Sequence, residues 1–253
     1  MWVGIVSLFP AMFRMLSDEG VVARAIGNGA LTLDFENPRD HTTDRHATVD
    51  DRPYGGGPGM VMKAAPLEAA IAALKARAGG AVRTVYVSPQ GERLSQAKVE
   101  ALAREPRLVF VAGRYEGVDE RVIETSVDEQ ISLGDFVLTG GELPVMVVID
   151  AVARYLPGTL GNAESVDAES FRHGLLDWAH YTRPEIESGR AVPPELLGGD
   201  HAAIRRHRLR DALGRTYENR PDMLAQRALS AEERELLGEY LSRSGARLAG
   251  SLR

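Results

Sequence analysis

Between residues 1 and 156 the chain repeats one pattern: a short apolar run, a peptide of glycine, proline and polar residues, then a stretch whose apolar residues recur every three or four positions. Strand and helix periods alternating in this order point to an α/β layer with a largely parallel sheet, because each crossover helix returns the chain to the same end of the sheet. The candidate strands are residues 3–8, 31–36, 84–87, 108–112 and a segment around 131–138. Three of them run into turn-rich peptides: TVYVSPQG (84–91), LVFVAGRYEG (108–117) and ISLGDFVLTGG (131–141).

The helical stretches carry their own punctuation. In 66–78, Leu67, Ile71 and Leu74 form one stripe, expected to face the sheet, and Gly79-Gly80 supplies the stop. Residues 94–105 offer Ser95 as N-cap, with Leu94 and Val99 at the two staple positions. Residues 142–156 are apolar on most faces, which predicts burial on several sides, in a core or, as the favoured reading, in a subunit interface. From 157 to 170 the sequence PGTLGNAESVDAES reads as a linker, and beyond it the pattern is helical. Asp200 caps a predicted helix over 201–213, and Ser230 with Glu233 makes a capping box ahead of Leu236, Leu237, Tyr240 and Leu241. The expected organisation is an α/β domain over 1–160, a linker over 161–171 and a small helical domain over 172–253.

Several function classes fall away. The 253 residues include no cysteine, which removes disulfides, thiolate metal sites and cysteine nucleophiles. Gly27-Asn28-Gly29 and Gly55-Gly56-Gly57 lack the third glycine of a dinucleotide fingerprint, and no Gly-Lys-Ser or Gly-Lys-Thr occurs. His41, Asp44 and His46 match no standard zinc spacing and read as a polar loop, so no metal ligand is assigned. The apolar start MWVGIVSLFPAMF lacks a basic leader and is interrupted by Pro10, so it reads as a first strand; the run 143–153 is broken by Asp150 and is too short to span a bilayer. A cytoplasmic protein without membrane association is expected.

What remains is a ligand beyond the carboxyl ends of the strands, where the three turn peptides offer backbone amides and carbonyls with little side-chain bulk. That suits an adenosine-type ligand read by main chain; tight turns without a ligand are the alternative, and spacing alone leaves both open. Residues 201–220 hold six arginines against Asp211 and Glu218 in a chain of net charge −6. Such a local basic stripe is the footprint expected for phosphate binding, a solvated helix face being the alternative.

The strings MWVGIVSLFP, TVDDRPYGGGPGM, VYVSPQG, GRYEGVDER, GDFVLTGGELP, GLLD, HYTRP and IRRHRLR, in this order, resemble the bacterial tRNA (guanine-N1)-methyltransferases of the SPOUT superfamily over nearly the whole chain. The resemblance implies a SPOUT fold, with a deep trefoil knot in the mostly parallel α/β domain, followed by a small all-α C-terminal domain. The three turn peptides are then loops of the knot that hold S-adenosylmethionine. The implied cofactor contacts are Tyr86, Val87, Ser88, Pro89, Gly113, Tyr115, Glu116, Ser132, Leu133, Gly134, Asp135, Phe136, Val137, Leu138, Gly140, Gly141 and Pro144. An obligate homodimer with shared active sites, a tRNA partner and dependence on Mg2+ are implied as well, although no carboxylate cage is visible.

The implied reaction, at N1 of the guanine at tRNA position 37, needs a base for the N1 proton and a donor for the charge developing on O6. By the resemblance the donor is Arg154 and the base falls on Glu169, with Asp167 as the second candidate. His180, Tyr181 and Arg183, with Arg205, Arg206 and Arg208, are the implied tRNA contacts. A non-catalytic RNA-binding relative, or a methyltransferase of another target, predicts eroded cofactor loops or different C-terminal strings, and neither is found.

Overall fold

The computed structural model describes residues 1–161 and 169–244 and falls into two compact units, Met1–Asn162 and Ala163–Arg253. In the first, five parallel strands form the sheet: β1 (Trp2–Val6), β2 (Thr32–Glu36), β5 (Arg83–Arg93), β6 (Arg107–Ala112) and β7 (Glu129–Ser132), in the order β2-β1-β6-β5-β7. Two short strands, β3 (Asp50–Asp51) and β4 (Val61–Met62), pair as a separate antiparallel ladder. The helices are α1 (Arg14–Asp18), α2 (Gly20–Gly27), α3 (Ala64–Ala78), α4 (Gln96–Ala103), α5 (Glu120–Ser126) and α6 (Glu142–Ala153).

Both faces of the sheet are covered, and the period of two along each strand decides which side chain goes where. In β6, Leu108, Phe110 and Ala112 pack with residues of α2, α4 and α6, whereas Val109 and Val111 pack with residues of α3 and α5. The stripe Leu67, Ile71 and Leu74 is buried against the sheet as its spacing predicts, and Gly79 ends α3 at φ 67, a left-handed conformation that glycine adopts without a Cβ penalty. Ser95 caps α4 by accepting from the Lys98 amide at 3.3 Å.

One expected strand is shorter than predicted. The apolar run 131–138 leaves the sheet after Ser132, turns at Gly134 (φ 148) and exposes Phe136, Val137 and Leu138. Those three residues have strand-like character but line a loop. β5 departs the other way: it continues past Val87 to Arg93 through an irregular step between Val87 and Glu92, because Gly91 lets its backbone press onto Gln130 and Ile131 of β7. A Cβ at position 91 would lie 2.4 Å from the Ile131 nitrogen.

The second unit contains α7 (His201–Asn219), α8 (Pro221–Ala225) and α9 (Ala231–Ser244). It is not purely helical: residues before 194 are largely loop, with a small hairpin of β8 (Ile186–Glu187) and β9 (Arg190–Ala191). The reason is local, since Pro184, Gly189, Pro193 and Pro194 deny the segment a continuous helix. α7 runs six residues beyond the predicted end at Leu213, and α9 lies so close that a Cβ on Gly214 would meet the Tyr240 ring at 2.3 Å. Asp200 and the Ser230–Glu233 box cap their helices as predicted. Among the described residues no helix is long and apolar enough to cross a membrane.

Candidate functional site

The middle of β5, at its irregular step, and the carboxyl ends of β6 and β7 open onto one cavity of about 300 Å³ in the first unit. Its walls are the three turn peptides: Tyr86, Val87, Ser88 and Pro89 from the first, Gly113, Tyr115 and Glu116 from the second, and Ser132, Leu133, Gly134, Phe136, Val137, Leu138, Gly140, Gly141 and Pro144 from the third. Of the residues expected at a cofactor site, Asp135 alone is not in the wall; its side chain is 96% exposed and lies 3.3 Å from Arg93. Gln90, Gly117 and Ile131 line the cavity too and were not singled out from sequence. They neighbour predicted residues, and adjacency was the available signal.

Glycine is required at two points of the wall by close approach. At Gly141 a Cβ would sit 2.7 Å from the Ala112 Cα and the Gly113 nitrogen, and the Gly141 amide donates to the Gly113 carbonyl at 2.8 Å. At Gly113 a Cβ would come within 2.8 Å of the Tyr86 ring. Tyr86 itself is buried, and burial raises its phenol above the ordinary value. Among the described residues the amides of Leu138 and Gly140 donate to no protein acceptor, so the loop presents free donors.

Behind the third peptide lies a charge cluster that sequence reasoning missed. Glu142, at the start of α6, is buried; its Oε1 accepts from the Ser7 hydroxyl at 2.9 Å and its Oε2 is 2.8 Å from Arg114 Nε. The Arg114 N–H is not aligned with that oxygen, so the contact is an ion pair and not a directed hydrogen bond. Arg114 also donates to the Thr139 carbonyl at 3.2 Å and lies 4.5 Å over the Phe9 ring. It therefore ties the second and third peptides to the loop after β1. Arg114→Leu is expected to destabilise the protein by about 3–5 kcal/mol, since it strands a buried carboxylate. Urea unfolding measures it, and the double change Arg114→Leu with Glu142→Leu should recover most of the loss.

A second strap comes from the β3–β4 segment. The Glu116 amide donates to the Met60 carbonyl at 3.0 Å, the Met62 amide to the Gly117 carbonyl at 2.9 Å, and the Glu116 side chain covers Gly59, where a Cβ would meet it at 2.3 Å. Tyr115 adopts φ 62, rare for a side chain of its size, and its phenol is raised by partial burial and then by Asp50, with Arg39 opposing.

Arg154 is the C-cap residue of α6, roughly 15 Å along the helix axis from Pro144 in the pocket wall. It is not brought to the cavity of its own chain. An exposed stripe of Leu143, Val147 and Asp150 runs down the same helix, and Phe9, Met12 and Met15 are exposed in the segment after β1. Glu169 belongs to the second unit, where it lines a cavity with His173, Leu175, Arg205 and Arg227. Asp167 and most of the predicted linker lie outside the described residues.

His180, Tyr181, Arg183 and Arg208 line one open cavity of the second unit, and Asp177 holds the His180 ring at 2.8 Å. The arginine stripe differs from its sequence reading. Arg205 pairs with Glu232 (2.5 Å), Arg206 with Glu235 (2.8 Å), Arg210 with Glu195 (3.4 Å), Arg215 with Asp211 (2.8 Å) and Arg220 with Asp222 (2.6 Å). Glu195, Glu232 and Glu235 reach the helix from distant parts of the sequence, which a count over 201–220 cannot register.

The sequence that builds this cavity is matched by known proteins over nearly its whole length. The family model described as tRNA (Guanine-1)-methyltransferase TrmD matches residues 1–226. The chain belongs to this TrmD family. Similar relatives named tRNA (guanine-N(1)-)-methyltransferase include one from Pseudomonas aeruginosa, 58% identical over 242 residues, which cover 95% of this chain and 96% of the relative. A relative from Pseudomonas fluorescens is 59% identical over 237 residues (94% and 95%), and one from Escherichia coli is 56% identical over 240 residues (95% and 94%).

Proposed function

We propose that the chain transfers a methyl group from S-adenosylmethionine to N1 of guanine in tRNA, at position 37 next to the anticodon. The observation that carries this reading is the single cavity formed by Tyr86–Pro89, Gly113–Glu116 and Ser132–Pro144 in a chain of the TrmD family. The wall fits an adenosine-type ligand: apolar surface from Leu133, Phe136, Val137 and Leu138, free amides at Leu138 and Gly140, and glycines where side chains would obstruct it. S-adenosylmethionine supplies an electrophilic methyl group on a sulfonium that departs as a neutral thioether, so no residue is needed to protonate the leaving group.

The protein's own part concerns the guanine. Its N1 lone pair is not available while N1 carries a proton, so a carboxylate must accept that proton; Glu169 is assigned this role. Deprotonation pushes negative charge toward O6, and the guanidinium of Arg154 is assigned to stabilise it. The 15 Å between Arg154 and the pocket of its own chain supports a homodimer in which Arg154 serves the partner's pocket. The exposed Leu143–Val147 stripe with Phe9, Met12 and Met15 is the apolar face such a dimer would bury. Dependence on Mg2+ belongs to the same reading; among the described residues no group of three His, Asp or Glu could hold a metal, so no residue is assigned to the ion.

The trefoil knot belongs to the same reading. It is supported by the third peptide's path from β7 across to Gly113 at the end of β6, while β5 continues past it to pair again with β7. Under force, an unfolded knotted chain should extend to less than its contour length, and full extension would refute the knot. A cytoplasmic location follows from tRNA as substrate.

Incubation with methyl-labelled S-adenosylmethionine and two tRNA transcripts, one with guanine and one with adenine at position 37, tests the function. Label is expected on the first only, as N1-methylguanine. Equal labelling of both transcripts refutes the assignment.

A further inference from the structure

The arginines of α7 are not equivalent. With Arg205, Arg206, Arg210, Arg215 and Arg220 neutralised by carboxylates, Arg208 is the one of the six that has no acidic partner among the described residues. Its guanidinium instead lies 4.9 Å from the centre of the Trp178 ring. Trp178 in turn meets the His180 ring at 5.8 Å between centroids, tilted by 47°. His180 is steered by Asp177, and the Ala179 amide beside it donates to Asp211 at 2.5 Å, which anchors this stretch to α7. The adjoining cavity, of about 1040 Å³, is lined by exposed Tyr181 and Arg183 together with apolar Leu197 and Ile204.

We infer that Trp178 and Arg208 form a stacking platform for one unpaired nucleotide of the RNA substrate. A π-face backed by a guanidinium takes any base by stacking, while Arg208 and Arg183 supply the charge that a flanking phosphate requires. An unpaired nucleotide fits because a paired base keeps its faces inside the helix, whereas loop nucleotides splay out onto aromatic side chains. Five neighbouring arginines already have carboxylate partners, so the uncompensated charge of the helix is concentrated at this point. The platform thus gives the second unit a defined contact with a single nucleotide in place of a diffuse basic stripe. The inference rests on tRNA being the substrate.

Trp178 reports on itself. The chain has two tryptophans, and in a Trp2→Phe background the emission is that of Trp178. Titration with a guanine-37 tRNA transcript is expected to quench that emission to saturation. Trp178→Ala should raise the tRNA dissociation constant roughly 5- to 100-fold, and Trp178→Phe should restore most of the affinity. S-adenosylmethionine affinity should stay unchanged in both. Arg208→Ala should lower the slope of log affinity against log salt by about one, and Trp178→Ala should not change it. Unchanged emission at saturating tRNA, or wild-type affinity in Trp178→Ala, overturns the inference. If the unaltered protein methylates tRNA while Trp178 stays silent, the platform fails and the function stands. If Trp178 responds without any methylation, the function fails and the platform stands.

Discussion

Glu169→Gln is expected to lower the single-turnover rate of methyl transfer by about 10²- to 10⁴-fold while leaving S-adenosylmethionine affinity unchanged. Glutamine has nearly the shape of glutamate but accepts no proton, so the change isolates proton abstraction from packing. Glu169 is half-buried, lines a cavity with His173 and Arg227, and its carbonyl accepts from the Arg172 amide at 3.4 Å. Asp167→Asn serves as the comparison and should keep most of the rate. If Asp167→Asn loses the rate and Glu169→Gln keeps it, the base is Asp167.

Gly141→Ala should weaken S-adenosylmethionine binding on the order of 100-fold or more, because its Cβ would enter the backbone of Ala112 and Gly113, which cannot step aside as a flexible side chain can. The hydrogen bond from Gly141 to the Gly113 carbonyl would open with it. Gly27→Ala, at a position with no atom within 4 Å of the added methyl group, is the control and should bind normally. Calorimetric titration with S-adenosylmethionine decides between them. Mixing Gly141→Ala subunits with Arg154→Ala subunits extends the test: a shared site predicts that mixed dimers regain one working site, whereas sites confined to one chain predict no recovery.

The sequence carried most of the scaffold because local rules sufficed for it. The Leu67–Ile71–Leu74 stripe, the Gly79 stop and the caps at Ser95, Asp200 and Ser230 depend on neighbours within a few residues, and each is found as its spacing predicts. The candidate cofactor wall was legible as three turn peptides but not as one cavity, since nothing in spacing says that residues 86, 113 and 134 meet. Phe136–Leu138 misled for a related reason: an apolar triplet looks alike in a core strand and in a pocket wall. Arg114 and Glu142 were invisible because their roles come from each other and from Ser7. The arginines of α7 were miscast as a stripe because the glutamates that meet them come from 195 and from 232 to 239.

The buried hydrogen bond from Ser7 to Glu142 spans 135 residues of sequence. On a ribosome adding roughly 5–20 residues per second, the hydroxyl emerges on the order of ten seconds before its acceptor is made. Until then Arg114, which contacts Phe9 and Met12, has no Glu142 to pair with. The cavity is thus a late event in the life of each molecule, completed only when α6 arrives, because a nascent fragment stopping before residue 142 lacks both Glu142 and the Pro144 of the wall.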